Sequence, residues 1–282
     1  MNMIDIDRLR TWIGKERRIL DDLSLGHARA MAALLNCSVL PGAEDPLPPS
    51  WHWLYFLDTP TTSSTGSDGH PLKGGFLPPV PLPRRMWAAG TLQVNEPLRL
   101  GRQAEKKSTI RSVELKEGKT GPLVFVSIEH ALTQGDQLCI VEKQNLVYRD
   151  MPAGPAPLPT GEIAPKDADW TKTIVPDPVL LFRYSALTYN AHRIHYDRNY
   201  ATQEEFYPAL VVHGPLLATL LLDLIATQVN AAEVKQFSFR ATRPLFDHAP
   251  FDVCGKRSNN QVNLWTVDRD GYVGVVADAE LA

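Results

Sequence analysis

The strongest pattern in the chain lies in its last third. In HGPLLATLLLDLIATQV (His213 to Val229), leucine or isoleucine falls on nearly every side from Leu216 to Ile225. A helix that is apolar all round is buried all round, so the pattern predicts a buried helix over 214–229. Four segments follow it: VKQFSFRATRPL, PFDVCGKRS, QVNLWTVDR and YVGVVADAEL. They alternate as strands do, and Pro, Asn-Asn and Asp-Gly turn signals break them up. Asp270-Gly271 suits a hairpin turn. Upstream, VLLFRYSALT (179–188) is apolar and aromatic and reads as a strand that leads into a polar loop.

The first half repeats this order less clearly. A helix is expected from Asp21 to Asn36, and WHWLYFLD (51–58) reads as a strand. A loop rich in Pro, Gly, Ser and Thr runs from Asp58 to Pro83, and strand patterns resume at Trp87 with GTLQVNEPL, EKKSTIRSVEL, GPLVFVSIEHAL and QLCIVEKQNLVY. LQVNEPL and FSFRATRPL place Pro-Leu at the same point of a strand–turn–strand pattern, at an offset of 147 residues (Leu98 to Leu245). Residues 151–178 contain seven prolines, which excludes a helix or a central strand there and suggests an extended linker. The expected division is therefore an N-terminal domain 1–150, a linker 151–178 and a C-terminal domain 179–282. The fold class is α+β: in each half one buried helix wrapped by a curved antiparallel sheet, the two units side by side as one continuous sheet.

Composition narrows the function. The formal net charge of −3 gives no support for a nucleic-acid partner or an acidic membrane surface. The apolar stretch Gly214 to Val229 is too short and, with Asp223, too polar to span a bilayer. Cys37, Cys139 and Cys254 are odd in number and far apart, which points to a reducing compartment without a disulfide framework. MNMIDIDRLR resembles neither a secretory signal nor a typical transit peptide. The expectation is a cytoplasmic protein.

The candidate chemistry is concentrated in TYNAHRIHYD (Thr188 to Asp197). His195 suits a base that titrates near neutral pH; the alternative is a histidine that only bonds its own loop. Asn190 cannot be a base, but its amide can hold a water, or it can serve only as a turn residue. His213-Gly214 lies where unpaired N–H groups at the start of the buried helix carry partial positive charge, and Pro215 fits the first helical turn. Arg183, Arg193, Arg84 and Arg85 are candidates for a carboxylate or for phosphates, with plain surface solvation as the alternative. The loop at Lys73-Gly74-Gly75 either covers a pocket or is simply disordered. A metal set of His192, His195 and Asp197 or His213 has plausible spacing, but such spacing is common by chance, and no metal is expected.

The stretch Ser185 to His195 resembles the motif of the MaoC-like (R)-specific enoyl-CoA hydratases: a small residue, then Asp-x-Asn-Pro-aliphatic-His. His195 matches the family's catalytic histidine. Asn190 stands where the family has aspartate, and His192-Arg193 replace Asn-Pro. The combination YSALTYNAHRIHYD with VVHGPLLA, and RRMWAAG with PLRLG in the first half, is similar to a subfamily of mesaconyl-C4-CoA and itaconyl-CoA hydratases and mitochondrial hydroxyacyl-thioester dehydratases. The resemblance spans nearly the whole chain. It implies a double hot-dog fold and reversible hydration of a short dicarboxylic enoyl-CoA to citramalyl-CoA, as in itaconate degradation. It also implies a CoA thioester as substrate and no separate cofactor, with Gly214 N–H, beside His213, donating to the thioester carbonyl. The departure from aspartate points to His195 alone delivering and retrieving the proton. A homodimer or higher homo-oligomer is expected. The rival readings are a dehydratase for longer 3-hydroxyacyl thioesters, an acyl-CoA thioesterase, and a non-catalytic acyl-CoA binding module.

Overall fold

The computed structural model describes residues 4–118, 121–229 and 234–282. In chain order its elements are α1 (Ile6–Arg10), β1 (Glu16–Asp21), α2 (Leu25–Leu34), β2 (Arg84–Val94), β3 (Ala104–Gly118), β4 (Gly121–Gln134) and β5 (Gln137–Arg149). There follow β6 (Trp170–Ile174), α3 (Pro178–Leu187), α4 (Gly214–Gln228), β7 (Val234–Ala241), β8 (Phe251–Ser258), β9 (Gln261–Val267) and β10 (Val273–Leu281). The strands form one antiparallel sheet, in the order β1-β3-β4-β5-β2-β7-β10-β9-β8-β6. Read inward from either edge, the second half repeats the first with every strand number raised by five. The halves meet where Ala89–Gln93 of β2 pair with Arg240–Gln236 of β7. The offset of 147 residues maps the last residue of β2, Val94, onto the last of β7, Ala241.

The alternation that predicted the strands is the alternation that buries them. Along β4, Val124, Val126, Ile128, His130 and Leu132 face inward, because successive side chains of a strand point to opposite faces. β9 and β10 are joined through the Asp270-Gly271 turn, with Gly271 at φ +85°. α4 is buried on nearly all sides: Leu220, Leu221 and Leu224 are 5%, 0% and 1% exposed. It packs on β8, β9 and β10 of its own half and on β2 of the other. Its one acid, Asp223, pairs with Lys172 Nζ of β6 at 2.9 Å.

Four expectations need correction. VLLFRYSALT forms α3, not a strand: Asp177 Oδ1 accepts from Leu180 N at 2.7 Å, Pro178 sits in the first turn, and Leu181, Tyr184 and Ser185 turn inward at helical spacing. WHWLYFLD is a 3₁₀ turn over Trp51–Leu54 that runs into irregular chain. The helix placed at 21–36 starts at Leu25, because the Asp21 carboxylate ties off the end of β1. It accepts from Leu23 N and from Phe56 N, each at 2.9 Å. The segment 151–178 is not linker throughout: its proline-free stretch Trp170–Ile174 forms β6, which joins the sheet at its edge.

The halves also differ. α2 follows edge strand β1 as α3 follows edge strand β6, and the two helices touch. Between α2 and β2 no described residue forms an α-helix that could match α4. That stretch instead runs across to the second half, where Ser50 Oγ accepts from Thr219 of α4 at 3.0 Å. No described helix is long and apolar enough to cross a membrane.

Candidate active site

α3 ends at Leu187, and the motif loop follows. Tyr189, at φ +50°, turns the chain, and Asn190 Oδ1 accepts from His192 N at 3.0 Å. A 3₁₀ turn over Arg193–His195 then carries His195 into the interior. His195 is 7% exposed, and its Nδ1 lies 2.7 Å from Val211 O. A carbonyl only accepts, so Nδ1 carries the proton and Nε2 of the neutral ring is bare. Nε2 makes no hydrogen bond among the described residues, and His195 lines a cavity of about 890 Å³.

His213 fixes the ring from behind. The two imidazoles stack at 3.7 Å and 19°, and His213 Nε2 is held by Ser185 Oγ at 2.8 Å. Further on, His192 meets His195 edge-on at 5.5 Å and His70 at 4.1 Å. Four imidazoles thus stand in a row from Asp68 to Ser185. Burial, with His213 and His192 next, holds His195 well below its ordinary value. Burial and His192 push His213 down to about 3, and burial with Arg85 puts His70 at about 3.

These directions set the sign of acid sensitivity. A histidine lowered from 6.5 takes up a proton more readily when unfolded. Stability is therefore complete above about pH 6.5 and is lost as pH falls toward the folded values, by up to about 1.4 kcal/mol per pH unit for each histidine. Urea midpoints between pH 7.5 and 5 should fall steadily. A flat profile would mean that these rings take up protons in the folded protein as readily as in the unfolded chain.

Gly214 begins α4 on the cavity wall, directly after His213. A Cβ there would meet only Trp87 O at 3.8 Å, so the fold does not demand glycine at this position. What glycine leaves open is approach from the cavity to an unpaired helix-start N–H.

The four predicted arginines separate. Arg85 lines the cavity, and no carboxylate pairs with it among the described residues. Arg84, its neighbour on β2, faces the other way and is buried: its Nε donates to Glu205 Oε2 at 2.8 Å, and it also binds the Tyr207 hydroxyl. Arg193 is spent on Asp197 Oδ2 and on Ser67 O. Arg183 is exposed on α3, away from the cavity. Asp197 accepts from Tyr200 N and holds Arg193, so it shapes the loop. The metal set read from the sequence does not converge. Asp68, His70 and His192 instead place ligand atoms within 4.8 Å of one another.

The first half supplies wall residues that local sequence did not mark. Phe76 and Leu77, just after Lys73-Gly74-Gly75, line the cavity, and Lys15 Nζ and Trp12 Nε1 hold Gly75 O at 2.7 and 3.2 Å. The loop therefore covers the pocket. Lys106 of β3 reaches it as well, lowered to about 8 by burial. Glu142 receives His52 and Trp53, each at 3.0 Å. Despite burial, His52, with His130 and Lys106, holds it at about 2.

Residues 50–247 match the family of hydroxyacyl-thioester dehydratase type 2. The chain belongs to that family. It is 47% identical over 272 residues to the mesaconyl-C(4)-CoA hydratase of Chloroflexus aurantiacus, covering 96% of each chain. It is 28% identical to the mitochondrial hydroxyacyl-thioester dehydratase type 2 of Schizosaccharomyces pombe, over 84% of this chain and 87% of that one. A MaoC-like dehydratase from Phytophthora capsici superposes with a TM-score of 0.66 at 13% identity, over 99% of both chains. The fold is the double hot-dog. In this member of the dehydratase family, the second half carries the His195 loop and the full-length central helix, and the first half closes the cavity.

Proposed function

We propose that the protein is a hydro-lyase that reversibly hydrates a short dicarboxylic enoyl-CoA, of mesaconyl-C4 or itaconyl type, to citramalyl-CoA. The observation that carries this reading is the bare Nε2 of His195, on a cavity wall that also holds the start of α4 at Gly214. Hydration needs a base for the water, a proton for C2 and donors for the enolate oxygen. As the water oxygen bonds to C3, His195 Nε2 takes one of its protons. The C=C electron pair moves onto the thioester oxygen, which Gly214 N–H and the positive end of α4 stabilise. The enolate then collapses, and the same imidazole returns the proton to C2. A neutral, buried imidazole is in the correct state to begin this cycle.

Arg85 supports a second carboxylate on the substrate, because it faces the cavity without an acidic partner among the described residues. The likeness over the whole chain to a mesaconyl-C(4)-CoA hydratase supports the same substrate class. A cytoplasmic homo-oligomer acting in itaconate breakdown remains part of the proposal.

The test is a turnover panel of mesaconyl-C4-CoA, itaconyl-CoA, crotonyl-CoA and a longer enoyl-CoA, with products identified by mass. The five-carbon dicarboxylic substrates should be fastest. Arg85→Met should raise their KM by about 10- to 100-fold, the worth of a hydrogen bond to a charged group, and leave crotonyl-CoA little changed. Faster turnover of monocarboxylic chains would favour the longer-chain dehydratase reading, and free CoA as product would favour a thioesterase.

A further inference from the structure

We propose that His70, oriented by Asp68, is a second catalytic residue: its Nε2 accepts a hydrogen bond from the attacking water. This rests on the hydratase reading above. Asn190 Oδ1 already accepts from His192 N, so only one of its two lone pairs remains, and its NH₂ can only donate. A donor cannot pull a proton-bearing side of the water toward itself. The water has two hydrogens, and His195 Nε2 takes only one.

The first half brings an acceptor of its own to that wall. His70 lines the same cavity. Its Nδ1 lies 2.9 Å from Asp68 Oδ2. The carboxylate is held well below its usual range: burial opposes this, but hydrogen bonds from the His70 side chain and backbone prevail. Nδ1 is therefore the protonated nitrogen, and Nε2 carries the lone pair. Nε2 makes no hydrogen bond within the protein among the described residues. The charge on Asp68, relayed through the ring, strengthens Nε2 as an acceptor. His195 has only a backbone carbonyl behind it, so the two imidazoles are not equivalent.

His70 is also held in place with a tightness that a covering loop does not need. Arg193 N donates to Asp68 O at 2.9 Å, and Arg193 Nη1 donates to Ser67 O at 3.0 Å. Gly69, at φ +89°, lies so close to the catalytic loop that a Cβ would stand 1.8 Å from Ala191 O. Asp68 Oδ1 additionally receives His70 N at 3.0 Å. Two hydrogen bonds and a contact only glycine permits thus lock this strap of the first half onto the motif loop of the second. The His70 ring packs against His192 at 4.1 Å, tilted by 40°.

Atoms balance with His70 as acceptor alone. The proton that His195 removes is the one it returns to C2. The hydrogen bonded to His70 stays on the oxygen and becomes the hydroxyl hydrogen of the product.

The test measures kcat and KM of His70→Ala, His70→Gln and Asp68→Asn, each checked for an unchanged melting temperature. On mesaconyl-C4-CoA, His70→Ala should lose about 10- to 100-fold in kcat, the worth of one hydrogen bond to a charged or relay-strengthened group, with KM within about threefold. His70→Gln, whose side-chain carbonyl can accept, should recover part of the loss. Imidazole added to His70→Ala should raise kcat in proportion to its free base, which a purely structural residue would not allow. Asp68→Asn should fall between wild type and His70→Ala. His70→Ala with kcat within twofold of wild type would overturn the inference alone. So would activity lost on chelation and restored by zinc, since His70 would then be a ligand. A wild-type protein that hydrates no enoyl-CoA would overturn the proposed function and this inference together.

Discussion

His195→Ala should lower kcat by about 10²–10⁴-fold, the usual contribution of a positioned general acid–base. In the proposed cycle the imidazole both removes and returns the proton, and no other group on the motif loop has the same geometry. His213 is closest, but its Nε2 is bound to Ser185 and its Nδ1 is sealed in without a partner among the described residues. Asn190→Ala should cost less, because a water can replace an amide donor. The wild-type rate should fall on the acid side only below the ordinary imidazole range, since burial depresses His195. A His195→Ala protein that is folded, binds substrate and turns over at a near-normal rate would end the assignment; His192 and Asp197 would then be the residues to examine.

Arg84→Met should destabilise the protein by about 3–5 kcal/mol, because it leaves Glu205 as an uncompensated buried charge. Arg84 and Glu205 are 7% and 3% exposed, and the Glu205 carboxylate also holds His192 Nε2 at 3.3 Å. For a chain of this size the loss corresponds to a fall in Tm of about 10 °C. Replacing the pair together, Arg84→Met with Glu205→Leu, should recover much of it, because an apolar pair of similar volume removes the desolvation cost. Glu205 is held below the carboxylate range despite burial, by His192 and Arg84. Its contribution is therefore present above about pH 4.5 and is lost as pH falls through the folded value. Calorimetry at pH 7 gives the first result directly; a single variant as stable as wild type would show that Glu205 is not left uncompensated without Arg84.

Some of this was written in local sequence. The all-apolar run that became α4 could be satisfied only by burial on every side, whatever surrounded it. The strands announced themselves by period two, and the repeat of Pro-Leu at Leu98 and Leu245 matched the repeat of β2 and β7. The candidate loop was legible because Asn190, His192 and His195 lie within six residues, so their proximity cost the fold little. VLLFRYSALT was misread because its apolar run fits either a helix or a strand. Asp177-Pro178 just before it was the start signal that distinguishes them, and it was present in the sequence.

The rest depended on contacts across long sequence separations. Nothing local tells Arg84 from Arg85. On a strand they point to opposite faces, and only the sheet's place against Glu205 makes one a buried ion pair and the other a cavity cation. Asp68-Gly69-His70 looks like any polar turn, and gains meaning only because no described residue of the first half forms a counterpart of α4 and that stretch runs across to the second half's site. Sequence alone determined the fold class, the buried helix and the residues able to move a proton. Tertiary structure decided which nitrogen of His195 is bare, which cation faces the cavity and which histidine of the first half lines it, because each depends on partners brought together from distant parts of the chain.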